Sequence, residues 1–397
     1  MESNRCVRAA GAARKSRERR GGMLKSASDP AAGLYIGLMT GTSLDGVDAV
    51  LADLTGAQPH IVATAHLPLA QDLRSELLQL SASGWDELHR SGIASQQLAR
   101  GYASAVQRLL REVNVQADQV RAIGVHGQTV RHRPEAGYTI QLNAPATLAE
   151  LTGIDVVADF RSRDIAAGGQ GAPLLPVFHA GIFTAQSPRA VVNVGGIANV
   201  TALPAAGSRE PVIGFDCGPG NVLIDAWAAE HLAQPFDRGG HWAAGGSANA
   251  ALLRELMQEP YFSLAPPKST GRELFNREWL SRKLAQHALD PQDVQATLTR
   301  LTAVTIGQAI ARHAPRAADV LVCGGGAFNS TLLRMVGEEC APRPVASTQA
   351  LGVAPDHVEA FAFAWLAHEH VLRRAASLPA VTGARGARVL GALYPAG

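Results

Sequence analysis

The sequence predicts an α/β protein made of two copies of one unit, a glycine-tipped β-hairpin followed by helices and strands, with a cleft between the copies. Three observations carry this. The segments "LYIGLMTGTSLDGVDAVLADL" and "AVVNVGGIANVTAL", starting at Leu34 and Ala190, are each an apolar run, a Gly-rich turn and a second apolar run. Each opens a section that later contains helical patterns, the mark of an internal duplication. At 397 residues the chain also exceeds what one core usually covers.

The expected divisions are residues 1–33, 34–188 and 189–397. The first 33 residues hold eight Lys/Arg against three acids and show no apolar periodicity. That composition reads as a basic disordered tail, or as sequence ahead of a true start at Met23, and it lacks the apolar core of a secretion signal. Setting the tail's five surplus positive charges aside from the overall +2 leaves a body of −3, with no basic excess for nucleic acid. No apolar run approaches the roughly eighteen residues that span a bilayer, so no membrane partner is expected. Cys6, Cys217, Cys323 and Cys340 lack zinc-site or disulfide-framework spacing. Reduced thiols and a cytoplasmic location fit that usage.

In chain order, the loop "TGTSLDGVD" at 40–48 joins strand to strand. It has neither the lysine nor the following helix of a Walker-type phosphate loop. Its hydroxyls, glycines and two carboxylates still suit phosphates and a metal. Next, "WDELHRSGIASQQLARGYASAVQRLLREV" spaces Leu88, Leu98, Tyr102, Val106, Leu109 and Leu110 as one helix face. "VRAIGVHGQTV" reads as a strand running into a polar loop, and "IDVVADFRSRD" as a strand ending in charges; such ends line the ligand crevice of open α/β sheets. The second hairpin carries Gly195 and Gly196 at its tip. In "DVLVCGGGAFNSTLLRMV" a buried strand meets Gly324, Gly325 and Gly326 and then an amphipathic helix, so backbone can approach a planar or phosphorylated ligand. "DHVEAFAFAWLAHEHVLRR" is the last helix, and Gly-, Pro- and Ala-rich residues follow it.

Together "GTSLDGVD", "HGQTVRHRP", "ADFRSRDIAAGGQGAPLLP", "VVNVGGIANVT", "GFDCGPGN", "LVCGGGAFN" and "VTGA" resemble, in order from about Leu34 to Tyr394, the anhydro-N-acetylmuramic acid kinase family. Cys217 stands where that pattern leads one to expect Thr, and the basic tail has no counterpart in it. The resemblance implies the acetate and sugar kinase, heat-shock chaperone and actin superfamily, with two duplicated ribonuclease-H-like (actin-like ATPase) domains around an interdomain cleft. The acceptor and phosphate side would be the first domain and the nucleotide side the second. It implies a homodimeric enzyme that uses Mg2+ and ATP to convert 1,6-anhydro-N-acetylmuramic acid to N-acetylmuramic acid 6-phosphate in cell-wall recycling.

That conversion asks for two things at once: water must attack the anomeric carbon, and O6 must take the γ-phosphoryl group. The first needs a carboxylate base, the second positioning and charge neutralisation. Asp216, after an apolar strand and before Gly-Pro-Gly, emerges with little steric cover; it could instead be an Asx-turn acceptor, and the resemblance assigns it the base. Asp159 competes, but with Arg161 and Arg163 close by a salt-bridged carboxylate is a poorer base.

For ATP, the expected contacts are Gly41, Thr42, Ser43, Leu44, Asp45, Gly46, Val47 and Asp48 from the first hairpin, Gly195 and Gly196 from the second, and Gly324, Gly325 and Gly326. Asp45 or Asp48 could hold magnesium through water. For the acceptor sugar, Arg161 and Arg163 could bind a carboxylate, or merely pair with Asp159 or Asp164. His126, Gln128 and Asn143 offer neutral donors and acceptors. Glu359 sits on the last helix either near the nucleotide or hinge or on a solvated face. A kinase for another sugar, or a nucleotide-driven chaperone or filament protein without a small acceptor, are the competing classes.

Overall fold

The computed structural model describes residues 33–41, 44–56 and 59–397; the tail expected at 1–33 therefore falls almost wholly outside the described residues, as do Thr42 and Ser43. The first apolar run forms β1 (Leu34–Met39), which reverses into β2 (Gly46–Asp53) in antiparallel register from Leu34 opposite Asp53 to Met39 opposite Asp48. β3 (His60–Pro68) continues antiparallel to β2. β4 (Val120–Val125) returns parallel to β1. The segment after it is a separate hairpin of β5 (Gln128–Arg133) and β6 (Tyr138–Leu142), where a polar loop was expected. β7 (Val156–Ala158) then lies parallel to β4.

The second half repeats the pattern. β8 (Arg189–Val194), β9 (Ile197–Leu203) and β10 (Ile213–Pro219) form an antiparallel meander. β11 (Asp319–Cys323) lies parallel to β8, and β12 (Val345–Ser347) parallel to β11. Five strands thus recur in the same order and directions, β3-β2-β1-β4-β7 and β10-β9-β8-β11-β12. This is the duplicated ribonuclease-H-like, actin-like arrangement. β13 (Ala392–Tyr394) then returns to the first sheet, antiparallel to β7.

The helix Glu87–Glu112 buries Leu98, Tyr102, Val106, Leu109 and Leu110 against the first sheet. Leu88 is 89% exposed, contrary to its expected place on that face. At 3.6 residues per turn it lies about 80° around the helix from Leu98, so the spacing rule included one residue too many.

The helix Val358–Val371 joins the two halves. Its Phe361, Phe363 and Leu366 share one core with Tyr35 and Val157 of the first sheet and Val191, Leu203 and Leu321 of the second. Such a helix can lie flat on β1 and β4 only where no side chain intervenes. A Cβ on Gly37 would stand 1.8 Å from the Ala360 carbonyl oxygen, and one on Gly124 1.9 Å from that of Phe363. Those two glycines set the depth at which the helix seats, and with it the position of Glu359 at the helix's first turn.

Candidate active site

Three polar residues form a row across the second sheet. Asn193 on β8 is directly opposite Asn199 on β9, and Asn199 is directly opposite Asp216 on β10. Directly paired residues put their side chains on one face. That face is the one covered by the Val358–Val371 helix, since Asn193 Nδ2 donates to Glu359 Oε1 at 3.4 Å. A bulge follows Asp216 in the β9–β10 ladder, a feature that re-aims side chains at strand edges. Asn199 Oδ1 is buried with no hydrogen-bond partner in the protein.

Asp216 ends the row in surroundings poor in water. Burial pushes its carboxyl up to about 7; Glu273 adds to the rise, while a bond from the Thr270 amide and the Lys268 cation oppose it. The Thr270 amide donates to Oδ2 at 3.1 Å. A carboxyl half-ionised near neutrality is a strong candidate for proton transfer. Asp225, on the helix Val222–Leu232, is likewise pushed to about 7, by burial, against the pull of Arg272.

The first half contributes a second cluster. Arg161 donates from Nε and Nη2 to His126 Nε2, at 3.2 and 3.0 Å, and from Nη1 to the Gly171 carbonyl at 2.8 Å. Burial lowers its guanidinium to about 10, with Glu359 pulling the other way. His126 is held well below its ordinary value by burial and then by Arg161, so it is neutral and its Nε2 accepts. His126 Nδ1, Gln128 Oε1 and both amide atoms of Asn143 are buried without partners. Unmet buried polar atoms are costly, and several in one neighbourhood mark the place of a polar ligand.

Asp159 and Arg163 are not part of this cluster. Both are exposed, and the Asp159 carboxylate accepts from the Ser162 hydroxyl at 2.6 Å in place of the expected arginine pairing. Asp164 is buried and structural, accepting from the Gly171 amide and the Thr382 hydroxyl, each at 2.8 Å. Glu359 is not on a solvated face: it meets Asn193 and Arg161, and burial pushes its carboxyl up.

The glycines divide by task. Gly46 is buried in β2 against His66, where a Cβ would come within 2.3 Å of the ring; Leu44 and Val47 are core residues. Those three could offer a ligand backbone only. Gly324 and Gly326 pack on β8, where a Cβ would meet Asn193 and Val194 at 2.4 Å. Gly325, Gly195 and Gly196 have open faces, with nothing nearer than 3.7 Å to an added Cβ. The Gly195 and Gly196 carbonyls accept from the Asn221 and Val222 amides at 2.9 and 3.0 Å, fixing the tip to the next helix.

The sequence profile of the family described as anhydro-N-acetylmuramic acid kinase matches residues 33–396. The chain belongs to that family. The anhydro-N-acetylmuramic acid kinase of Bordetella petrii is 59% identical over 368 residues, 91% of this chain and 96% of the relative. That of Burkholderia cenocepacia is 55% identical over 373 residues, 92% and 97% of the two chains. Among solved structures, the activator of the 2-hydroxyisocaproyl-CoA dehydratase from Clostridium difficile with bound ADPNP is 12% identical, with a TM-score of 0.45 over 85% of this chain and 96% of that one.

Phosphoryl transfer from a nucleotide is commonly assisted by divalent cations that neutralise phosphate charge. Asp48 accepts from or pairs with His66 Nδ1 at 2.8 Å, yet burial pushes its carboxyl up, with Asp45 adding to the rise. Asp48 in turn raises Glu359. Carboxylates that repel one another in this way suit a cation. Among the described residues no three acids, histidines or cysteines converge as a protein-only cage. No helix among the described residues is long and apolar enough to cross a membrane, and Cys217, Cys323 and Cys340 are free and buried.

Sequence reasoning missed Asn193, Asn199, Asp225 and Thr270. The two asparagines were findable: they flank "VGGIA" symmetrically, which a hairpin register makes a facing pair. Thr270 lies in "PPKSTGRELF", whose Ser, Thr, Lys and Gly between helical segments are a loop signal without a periodic partner.

Proposed function

We infer that this ATP-dependent kinase uses Asp216 as the general base for water attack on 1,6-anhydro-N-acetylmuramic acid, coupled to phosphorylation at O6. The Asp216 carboxylate takes a proton from water, whose oxygen bonds to C1 as the C1–O6 bond breaks. O6 takes the γ-phosphoryl group, and the products are N-acetylmuramic acid 6-phosphate and ADP. The observation that carries this reading is the Asn193–Asn199–Asp216 row, which ends in a carboxyl raised to about 7. The unpaired atoms of His126, Gln128, Asn143 and Asn199 are proposed to receive the sugar's amide and hydroxyls, with the Arg161 guanidinium facing its carboxylate.

The open-faced Gly195, Gly196 and Gly325 are proposed to face ATP, with Gly41 and the backbone of residues 44–48. Asp45 and Asp48, with Glu359 nearby, would hold magnesium through water; the ion would neutralise phosphate charge. The proposed unit boundary lies at 188/189, ahead of β8. A cytoplasmic homodimer is part of the same reading, and sedimentation at the monomer mass would refute the dimer.

Substrate choice is tested by ADP release with the anhydro sugar beside N-acetylmuramic acid, N-acetylglucosamine and no acceptor. Release with the anhydro sugar alone supports the reading, and release indifferent to sugar overturns it.

The pH dependence has a definite sign. Asp216 works as the carboxylate, so turnover is expected to rise about tenfold per unit as pH climbs toward 7 and then to level off. A kcat profile flat from about pH 5 to 7 would contradict the assignment.

Arg161→Met is expected to raise KM for the sugar roughly ten- to a hundredfold, the worth of one or two charge-assisted hydrogen bonds. The same change at exposed Arg163 should leave it within about twofold, since it removes no buried contact. Equal effects in the two variants would refute the division.

A further inference from the structure

Residues 261–270 run as a strap along β10, the edge strand of the second sheet. Three bonds tie the strap to one residue. The Asp216 amide donates to the Lys268 carbonyl at 3.3 Å, the Tyr261 hydroxyl donates to the Asp216 carbonyl at 2.7 Å, and the Thr270 amide donates to the Asp216 carboxylate at 3.1 Å. The carboxyl is therefore held from its own amide, its own carbonyl and its tip by a single segment.

Lys268 closes that strap on itself. Its Nζ donates to the Tyr261 and Phe262 carbonyls at 3.1 and 3.3 Å, while sitting 4.6 Å from the Tyr261 ring centroid and 5.8 Å from that of Phe215. An ammonium over two rings and against two carbonyls is fixed in position, unlike a solvated surface lysine. Phe215 precedes Asp216 on β10, so the cation rests against the strand that carries the carboxyl, on the face opposite to it.

We propose that Lys268 is a positioning residue for the known reaction, latching over β10 the strap that holds Asp216 by its amide, its carbonyl and its carboxylate. The proposal rests on the reading of Asp216 as the base. The charged and titratable groups around the pair come from three elements. The strap and the residues just after it supply Tyr261 and Glu273, β10 supplies Cys217, and the helix Pro291–His313 supplies Arg312 and His313. Glu273 opposes Lys268 at the Asp216 carboxyl. Burial and Arg312 lower the Lys268 ammonium from its ordinary value. The Thr270 amide, carried by the strap, favours the ionised Asp216 carboxyl, so loosening the strap makes the base harder to ionise.

The test uses the full chain with saturating Mg-ATP and anhydro sugar. Lys268→Met is expected to lower kcat about tenfold and to move the acid limb of the kcat profile upward by roughly one pH unit. KM for ATP should stay within about twofold, because the strap lies on the acceptor's base and not on the glycine turns. Lys268→Arg keeps a cationic donor for the Tyr261 and Phe262 carbonyls and should return the limb to the wild-type position. Tyr261→Phe frees a backbone carbonyl without altering charge, so kcat should fall about three- to tenfold with the limb unmoved.

A limb at the wild-type position in Lys268→Met, or one that Lys268→Arg does not restore, would overturn the proposal. If the methionine variant melts below the assay temperature, Lys268→Gln supplies the neutral side chain and the same limb decides. Failure of the underlying reading looks different: Asp216→Asn would then retain near-normal turnover whatever Lys268 does.

Discussion

Asp216→Asn is expected to lower turnover by about two to four orders of magnitude while ATP binding survives. Asparagine keeps the size of the side chain and an oxygen for the Thr270 amide, so the row from Asn193 to β10 has no reason to move. What it removes is the ability to take a proton from water. Stability supplies the control. The folded carboxyl is raised from 3.8 to about 7, so the folded state holds that proton more tightly than the unfolded chain does. Its stabilising contribution is full below the unfolded value and is lost as pH rises to about 7. Above that pH the wild type carries a buried charge that the variant lacks. Asp216→Asn should therefore melt no lower than wild type at about pH 8, and a clearly lower melting temperature would make the lost activity a folding defect. Near-normal turnover would move the base to another carboxyl, with Asp225 first in line, since burial raises it equally and Asp159 is exposed.

Gly124→Ala and Gly37→Ala are expected each to cost about 3 kcal/mol or more, among the largest effects for so small a change. Each added methyl would sit under 2 Å from a carbonyl oxygen of the Val358–Val371 helix. Both sides of the collision are backbone, one in a sheet and one in a helix, so neither can turn aside. The helix would have to lift, carrying Glu359 away from Arg161 and Asn193. Activity should fall along with stability. Gly92 and Gly101, in the helix Glu87–Glu112, meet nothing within 4 Å, and alanine there should stabilise by about 0.5–1 kcal/mol. Chemical denaturation of the four variants checks this; equal midpoints would show that the glycine seats do not set the helix depth.

Much of the fold was legible because it is written in local patterns. The two hairpins announce themselves as apolar runs around glycine tips, and the strand before Gly324 as a short buried run. Their repeated order in two sheets followed from the duplication. What was not legible depends on distant partners. β13 is three residues long and exists only because β7 offers an open edge. The strap over Asp216 has no period of its own, and Gly37 and Gly124 look like ordinary strand residues until the last helix lies on them. Leu88 shows the opposite failure, a residue of the right type at nearly the right spacing that never reaches the sheet.

The site divides in the same way. Asp216, His126, Gln128, Asn143, Arg161 and Glu359 were nameable from residue type at strand and helix ends. The grouping of the last two with Asn193 needed the fold, since they come from opposite halves of the chain. The glycines carried a mixed signal, because Gly46, Gly324 and Gly326 are small for packing reasons and Gly195, Gly196 and Gly325 keep open faces.

The most direct measurement is turnover of Mg-ATP and 1,6-anhydro-N-acetylmuramic acid in oxygen-labelled water, with mass analysis of both products. One label in the sugar phosphate, retained in the sugar after the phosphate is removed and absent from the phosphate itself, is the expected result, and it should vanish with turnover in Asp216→Asn. A labelled phosphate with an unlabelled sugar would mean that water attacks phosphorus, and the base role assigned to Asp216 would fall.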